Sequence, residues 1–264
     1  MPKSITVDRV SKTYGNGEEA VHVLDDISIS IPEKEFVCIL GPSGCGKTTL
    51  MKMMDGLVDP SEGEIRIGDT VITEPTPEAA LVFQNFELFP WRTTLENVEL
   101  GLEILGVDKS TRRERAQTWI DRVGLDGFEE SYPSELSGGM QQRVGLARAL
   151  CVDPEVILMD EPFGALDAQT KDKMQTQLLQ LWEQEKKTVV FVTHDIRESI
   201  FLADRVLVMG TKPSSIVEDI EIPFERPRWK RRVEIENDDR FADIEQLLRE
   251  RLGLKAEEET EVAQ

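Results

Sequence analysis

A fully apolar run, Phe36-Val-Cys-Ile-Leu40, breaks at once into Gly41-Pro42-Ser43-Gly44-Cys45-Gly46-Lys47-Thr48-Thr49. No other junction constrains the fold as much. A short apolar run bounded by turn residues reads as a strand buried on both faces. The glycines that follow let successive backbone N–H groups turn inward as a cradle for phosphate oxygens. A helix starting near Lys47 adds the positive end of its dipole to that cradle. Lys47 is then placed to reach β- and γ-phosphates, and Thr48 to offer an oxygen to Mg²⁺. Such a strand–loop–helix unit belongs in an α/β chain.

Two more apolar runs repeat the arrangement. Val156-Ile-Leu-Met159 ends at Asp160-Glu161, and Val189-Val-Phe-Val192 ends at Thr193-His194, with a helical stretch from Gln169 to Lys187 between them. Strand, helix, strand with apolar strands predicts a parallel sheet covered on both faces. The polar residues that close each strand then gather at its carboxyl edge, where ligands bind in such folds. At that edge Asp160 can hold a magnesium shell, and Glu161 can polarise a water for in-line attack on phosphorus.

The remaining pattern is less sharp. Ile27 to Ile31 alternates as a half-buried strand, and Glu64 to Ile67, Gly68-Asp69 and Val71-Ile72 read as a β-hairpin. Thr94 to Gly127 is helical in period, with Lys109 to Arg115 opening a helix for which Ser110 is the predicted cap. Met140, Val144, Ala147 and Cys151 share one helix face; Arg205 to Met209 reads as a strand and Ile216 to Ile222 as a peripheral one. Pro223 to Pro227 is a loop running into the basic cluster Arg226, Arg228, Lys230, Arg231 and Arg232, which reads as a solvated charge run. Phe241, Ile244, Leu248 and Leu252 predict a short amphipathic docking helix ahead of an acidic tail from Glu257 to Glu261.

Composition removes several function classes. The 264 residues carry 51 acidic against 31 basic side chains, a formal charge of −20. Such a surface repels phosphate backbones, so nonspecific nucleic-acid binding is disfavoured. The acidity suits either a salt-rich cytoplasm or an ordinary acidic cytosolic protein, and the sequence leaves both open. The longest uncharged stretch, Phe36 to Gly46, is about half the ~20 residues that a spanning helix needs. Met1 to Val10 carries Lys3, Asp8 and Arg9 and no apolar core of a signal peptide. Cys38, Cys45 and Cys151 form no CxxC pair, and only His22 and His194 could join them, so the chain reads as reduced, intracellular and without zinc.

Leu136-Ser137-Gly138-Gly139-Met140-Gln-Gln-Arg143 supplies a second anion-binding helix start, through Ser137 and the N–H groups of Gly138 and Gly139. With this segment, the loop Gly41 to Thr49 and Val156 to Glu161, in that order and spacing, the sequence resembles the ATPase subunits of ABC transporters over almost its whole length. The resemblance implies a P-loop NTPase core with a parallel sheet, an N-terminal antiparallel β subdomain and an inserted helical subdomain. It places an ATPase domain at 1–235, with the helical insert at about 88–150, and a C-terminal amphipathic helix and acidic tail at 236–264. It implies that Tyr14 stacks on adenine, that Gln84 touches Mg²⁺ and the attacking water, and that His194 senses the γ-phosphate. Ala165-Leu166-Asp167 matches the loop that contacts an opposite subunit. ATP and Mg²⁺ are the implied ligands, and a head-to-tail homodimer traps each ATP between one chain's Lys47 loop and the other's Ser137 segment.

Within that family, Val82-Phe-Gln-Asn-Phe-Glu-Leu-Phe-Pro-Trp91, Met159 to Gln169, Phe191 to Ile196, Phe201 to Arg205 and Arg226-Pro-Arg228 resemble the nitrate, sulfonate and taurine importer branch. This implies a peripheral ATPase on the cytoplasmic face of the cell membrane, beneath two membrane-spanning permease subunits and fed by an external solute-binding protein. Phe86, Leu88, Phe89 and Trp91 are then expected in the groove that faces the membrane subunit, with plain core as the other reading of these aromatics. Asp55, Met140 and the turn Lys212-Pro-Ser-Ser215 depart from the commoner pattern. The alternative is an ABC-type ATPase acting as a conformational switch outside transport. It is disfavoured because such proteins usually carry coiled-coil or zinc insertions for which this chain has no room.

Overall fold

The computed structural model describes residues 1–84, 87–164 and 166–254; Phe86, Ala165 and the acidic tail Glu257 to Glu261 lie outside the described residues. An antiparallel sheet is built from β1 (Ile5–Tyr14), β2 (Val21–Ile31), β4 (Glu62–Ile67) and β5 (Thr70–Val71), in the order β2-β1-β4-β5. The predicted hairpin is β4–β5, with Arg66 opposite Val71 and a turn at Gly68. The larger sheet runs β10 (Ile216–Glu221), β9 (Arg205–Met209), β3 (Phe36–Leu40), β8 (Thr188–Thr193), β7 (Val156–Asp160), β6 (Ala79–Val82). Its strands are parallel except for β10, which pairs antiparallel with β9 at the edge. The α/β class and the mixed architecture expected from the sequence are those observed.

Alternation along the central strands sorts their side chains into two cores. Phe36, Cys38, Leu40, Ile157, Met159, Val189 and Phe191 face one layer, where they meet the helices α2 (Thr94–Ile104), α3 (Lys109–Arg122), α4 (Gly138–Cys151), α5 (Ala168–Glu185) and α6 (Ile196–Leu202). Val37, Ile39, Val156, Leu158, Val190 and Val192 face the other, against the antiparallel sheet and α1 (Lys47–Met54). This is why these strands are apolar at every position. Register then sets the site. Leu40 pairs with Thr193, and Asp160 pairs with Val192, so β3, β7 and β8 end side by side at one edge.

Three local features differ from the sequence expectation. The stretch Thr94 to Gly127 is two helices, because Gly106 takes a left-handed backbone (φ 75°) that stops α2. The cap of α3 is Asp108, not Ser110: the Asp108 carboxylate accepts from the N–H groups of Ser110 and Thr111 at 3.1 Å. The basic cluster is a solvated run only in part, since Lys230 and Arg231 are exposed but the others are not. Arg228 is fully buried, donating to the carbonyls of Phe224 and Ala203, and Arg226 donates to Asp204 while its guanidinium covers Trp182. A side chain with five donors satisfies carbonyls that an apolar residue would strand. The C-terminal helices α7 (Arg232–Glu236) and α8 (Asp239–Arg251) dock through Ile235, Phe241 and Leu248, and Ile244 and Leu252 pack beside them.

Asp55 sits at the C-terminal end of α1, 8% exposed, where burial pushes its carboxyl up to about 7. The helix dipole also disfavours an anion there. The folded chain therefore keeps a proton that the unfolded chain has released, so stability falls as pH rises from about 4 to about 7. Asp55→Ala is expected to be more stable than wild type at pH 8, by up to roughly 4 kcal/mol, to lose more than half of that advantage by pH 5, and to lose the rest as pH falls toward 4. Urea unfolding of both proteins at pH 5, 6.5 and 8 measures the difference.

Candidate functional site

The phosphate loop leaves β3 and winds into α1 at Gly46, whose backbone is left-handed at φ 116°. Only glycine fits there. A Cβ would also stand 2.7 Å from the Leu24 side chain of β2, so the antiparallel sheet presses directly on the loop. Lys47 is buried, and its ammonium donates to the carbonyls of Gly41 (2.8 Å) and Pro42 (3.0 Å). It also lies 4.0 Å from Glu161 Oε1.

The second half of the site arrives on β7 and β8. Asp160 ends β7 and hydrogen-bonds the Thr48 hydroxyl; burial pushes its carboxyl up, the Thr48 bond opposes this, and the neighbouring Glu161 adds to it. Glu161 turns sharply out of the strand, with φ 45° in a region side-chain-bearing residues rarely adopt. Its N–H donates to the Val192 carbonyl at 3.0 Å, which holds the turn against β8. Its Oε2 lies 2.8 Å from His194 Nδ1, and the His194 ring is otherwise mostly exposed. Gln84 follows β6 on the other side. A Cβ on Gly164 would stand 3.2 Å from Gln84 Nε2 and 3.8 Å from Glu161 Oε2, so amide and carboxylate converge over that glycine.

A cavity of about 500 Å³ opens beside this cluster, lined by Tyr14, Ser43, Gly44, Gly46, Lys47, Thr48, Thr49 and Glu161. Three further residues in its wall, Val21, Val23 and Lys212, were not picked out from the sequence. They come from β2 and the β9–β10 turn, whose pairing with the loop has no local signature. Tyr14 ends β1 and is partly exposed.

Other predicted residues are placed elsewhere. Ser137 caps α4, its hydroxyl accepting from the Met140 N–H, with Gly138 and Gly139 in the first turn. Asp167 caps α5, and its bonds to Thr170 hold its carboxyl below the usual range. The two caps are neighbours, since a Cβ on Gly139 would stand 2.9 Å from Thr170 Cγ2. None of these residues lines the cavity. Buried Gln142 ties α4 to the sheet edge that carries Asp160 and Glu161, donating from Nε2 to the Pro162 carbonyl at 2.8 Å. Its place inside the segment Leu136 to Arg143 was the one signal available for it.

The ABC transporter family matches residues 24–164, more than half of the chain. The chain belongs to that family. Among similar proteins is an uncharacterised ABC transporter ATP-binding protein of Methanocaldococcus jannaschii, 47% identical over 89% of this chain and 88% of the relative. The aliphatic sulfonates import ATP-binding protein SsuB of Bacillus cereus is 46% identical over 86% and 89%, and the bicarbonate transport ATP-binding protein CmpD of Synechocystis is 44% identical over 87% and 82%. A solved dimeric structure of the ATP-binding cassette MJ0796 in a post-hydrolysis state, bound to ADP and phosphate, superposes with a TM-score of 0.72 at 36% identity, covering 84% of this chain and all of that one. This protein is thus an ABC ATPase, the ATP-binding subunit of a transporter.

In this ABC ATPase the spacing over Gly164 is tight enough to test. Gly164→Ala is expected to shift the Gln84 amide by a few tenths of an ångström and, if Gln84 and Glu161 have the roles that the sequence resemblance implies, to lower ATP turnover about tenfold, since small misplacements of reacting groups are costly. ADP affinity should stay within twofold of wild type, because Gly164 is not in the cavity wall. Phosphate release and ADP calorimetry on both proteins separate the two quantities.

Proposed function

We propose that this ATPase powers an importer for a small anionic or zwitterionic solute such as a sulfonate, taurine, nitrate or bicarbonate. It would work as a homodimer on the cytoplasmic face of the membrane, beneath two permease subunits served by an external solute-binding protein. Residues 1–235 form the ATPase domain in this reading, with the helical subdomain at about 88–150, and 236–264 the C-terminal appendage.

The observation that carries the proposal is the incompleteness of the site. Lys47, Thr48, Gln84, Asp160, Glu161 and His194 gather at one sheet edge, while Ser137 and Asp167 cap helices that do not line the cavity. A second copy, head to tail, would bring its Ser137 segment to the open side of the bound nucleotide. The dimeric MJ0796 cassette, bound to ADP and phosphate, supports a paired working state.

Within the closed pair Glu161 accepts a proton from water. The water oxygen forms a bond to the γ-phosphorus while the bond to the β–γ bridging oxygen breaks, leaving ADP and phosphate. Lys47 stabilises the charge on the transferred group. Nδ1 of His194 orients Glu161, so Nε2 is left to meet the γ-phosphate. Thr48, Asp160 and Gln84 offer a hydroxyl, a carboxylate and an amide oxygen, the hard donors that Mg²⁺ takes, and the hydrogen-bonded Thr48–Asp160 pair fits such an ion. When bound, Mg²⁺ would supply Lewis-acid neutralisation of phosphate charge.

The importer reading also draws on an exposed aromatic pair. Trp91 is 70% exposed and Phe89 36%, with their rings 5.4 Å apart edge to face, while Leu88 packs inward on the core. Large apolar groups held in water on an ordered loop mark a docking surface. Plain core does not describe them.

Two outcomes test the proposal. Glu161→Gln is expected to lower turnover at least a hundredfold while ATP still drives the chain from monomer to dimer in sedimentation; turnover at the wild-type rate would remove Glu161 from its role. Trp91→Ala should leave ATP binding by the separate subunit intact and weaken its co-purification with permease subunits about tenfold or more.

A further inference from the structure

The turn between β9 and β10, Gly210 to Ser215, departs from the importer pattern in sequence, yet it enters the cavity through Lys212. The turn is held firmly. Ser214 is fully buried; its N–H donates to the Val23 carbonyl at 3.0 Å, and its own carbonyl accepts from the Asp25 N–H at 2.9 Å. Its hydroxyl lies between the carbonyl oxygens of Cys45, in the phosphate loop, and Gly210. The backbone that carries Lys212, two residues earlier, is therefore anchored beside Val23 and the phosphate loop, while its side chain is exposed along the cavity wall.

Charge adds a second, independent observation. The Lys47 ammonium is engaged by the carbonyls of Gly41 and Pro42. Lys212, an exposed side chain, lines the same cavity, and no hydrogen bond or ion pair engages its ammonium among the described residues. In a chain of formal charge −20, where most basic side chains have acidic neighbours, an unpaired cation beside a phosphate cradle is set for an anion.

We infer that Lys212 is a further nucleotide-binding residue, donating from the junction of the apolar wall and the phosphate loop to the diphosphate shared by ADP and ATP. The inference rests on the reading of this cavity as the nucleotide site. The role of Lys212 is assigned to affinity, because no hydrogen bond or ion pair joins it to Gln84, Glu161 or His194 among the described residues.

The test is calorimetric titration of the full chain with ADP, and with adenosine as the phosphate-free control. Lys212→Ala is expected to bind ADP about five- to tenfold more weakly, Lys212→Glu more weakly still, and Lys212→Arg within twofold of wild type. The deficit of Lys212→Ala should shrink as salt is raised. Lys34→Gln, an exposed lysine at the opposite end of β3, should leave ADP affinity unchanged. ADP affinity within twofold of wild type in both Lys212→Ala and Lys212→Glu would overturn the inference. So would an equal loss of adenosine binding, which would move the contact to the nucleoside. A wild-type chain that binds no ADP, or a Lys47→Ala variant that binds it normally, would instead overturn the reading of the cavity itself.

Discussion

Everything at the edge where β3, β7 and β8 end depends on a buried ammonium held by its own loop. Lys47 is 5% exposed, and the carbonyls of Gly41 and Pro42 replace the water it has lost. A buried cation without such partners would deprotonate or destabilise the fold. The carbonyls can turn toward Lys47 only because the loop is tight, and the loop is tight because Gly46 accepts a left-handed backbone under Leu24. Replacing Gly46 would take apart the loop, the start of α1 and the packing of the antiparallel sheet together.

Legibility in the sequence followed how local each feature is. The phosphate loop was readable because strand, loop and helix are contiguous, and Asp160-Glu161 because a fully apolar strand ends at them. Tyr14 was assigned through the family resemblance, and its wall-mates Val21, Val23 and Lys212 were missed. They reach the cavity through β1–β2 pairing and a turn fastened by Ser214, contacts between residues far apart in the chain. The split of α2 from α3 was hidden because Gly106 interrupts a helical period without abolishing it. Asp108 outcompeted Ser110 as cap because its carboxylate reaches two N–H groups at once. The basic run misled because charge in a sequence does not reveal depth: Arg228 reads as solvated and is core.

The exposed aromatic pair illustrates how a buried polar residue can serve a surface. Asn97 is fully buried on α2; its side-chain oxygen accepts from the Phe89 N–H, and its amide donates to the carbonyls of Phe89, Arg92 and Thr93. One side chain thus holds both ends of the 89–93 turn on the helix. The reciprocal Thr93–Glu96 box fixes the helix start beside it. Trp91 is therefore presented to solvent from a rigid support rather than a loose strand, and docking it loses little conformational entropy.

The two halves of the proposed sandwich are coupled within each chain before any partner arrives. Gln142 lies one turn into the helix that Ser137 starts, and it donates to Pro162, the residue after Glu161. Gly139 of the same helix abuts Thr170, which bonds to Asp167. Between Pro162 and Asp167 lies Gly164, over which the Gln84 amide and the Glu161 carboxylate converge. A displacement of α4 therefore pulls on the short segment that carries Glu161, and a displacement of Glu161 pulls back. In the proposed sandwich, the carboxylate assigned to hydrolysis and the helix start offered to a second subunit would thus be joined by direct contacts within one chain, so that seating a partner on one would bear on the other.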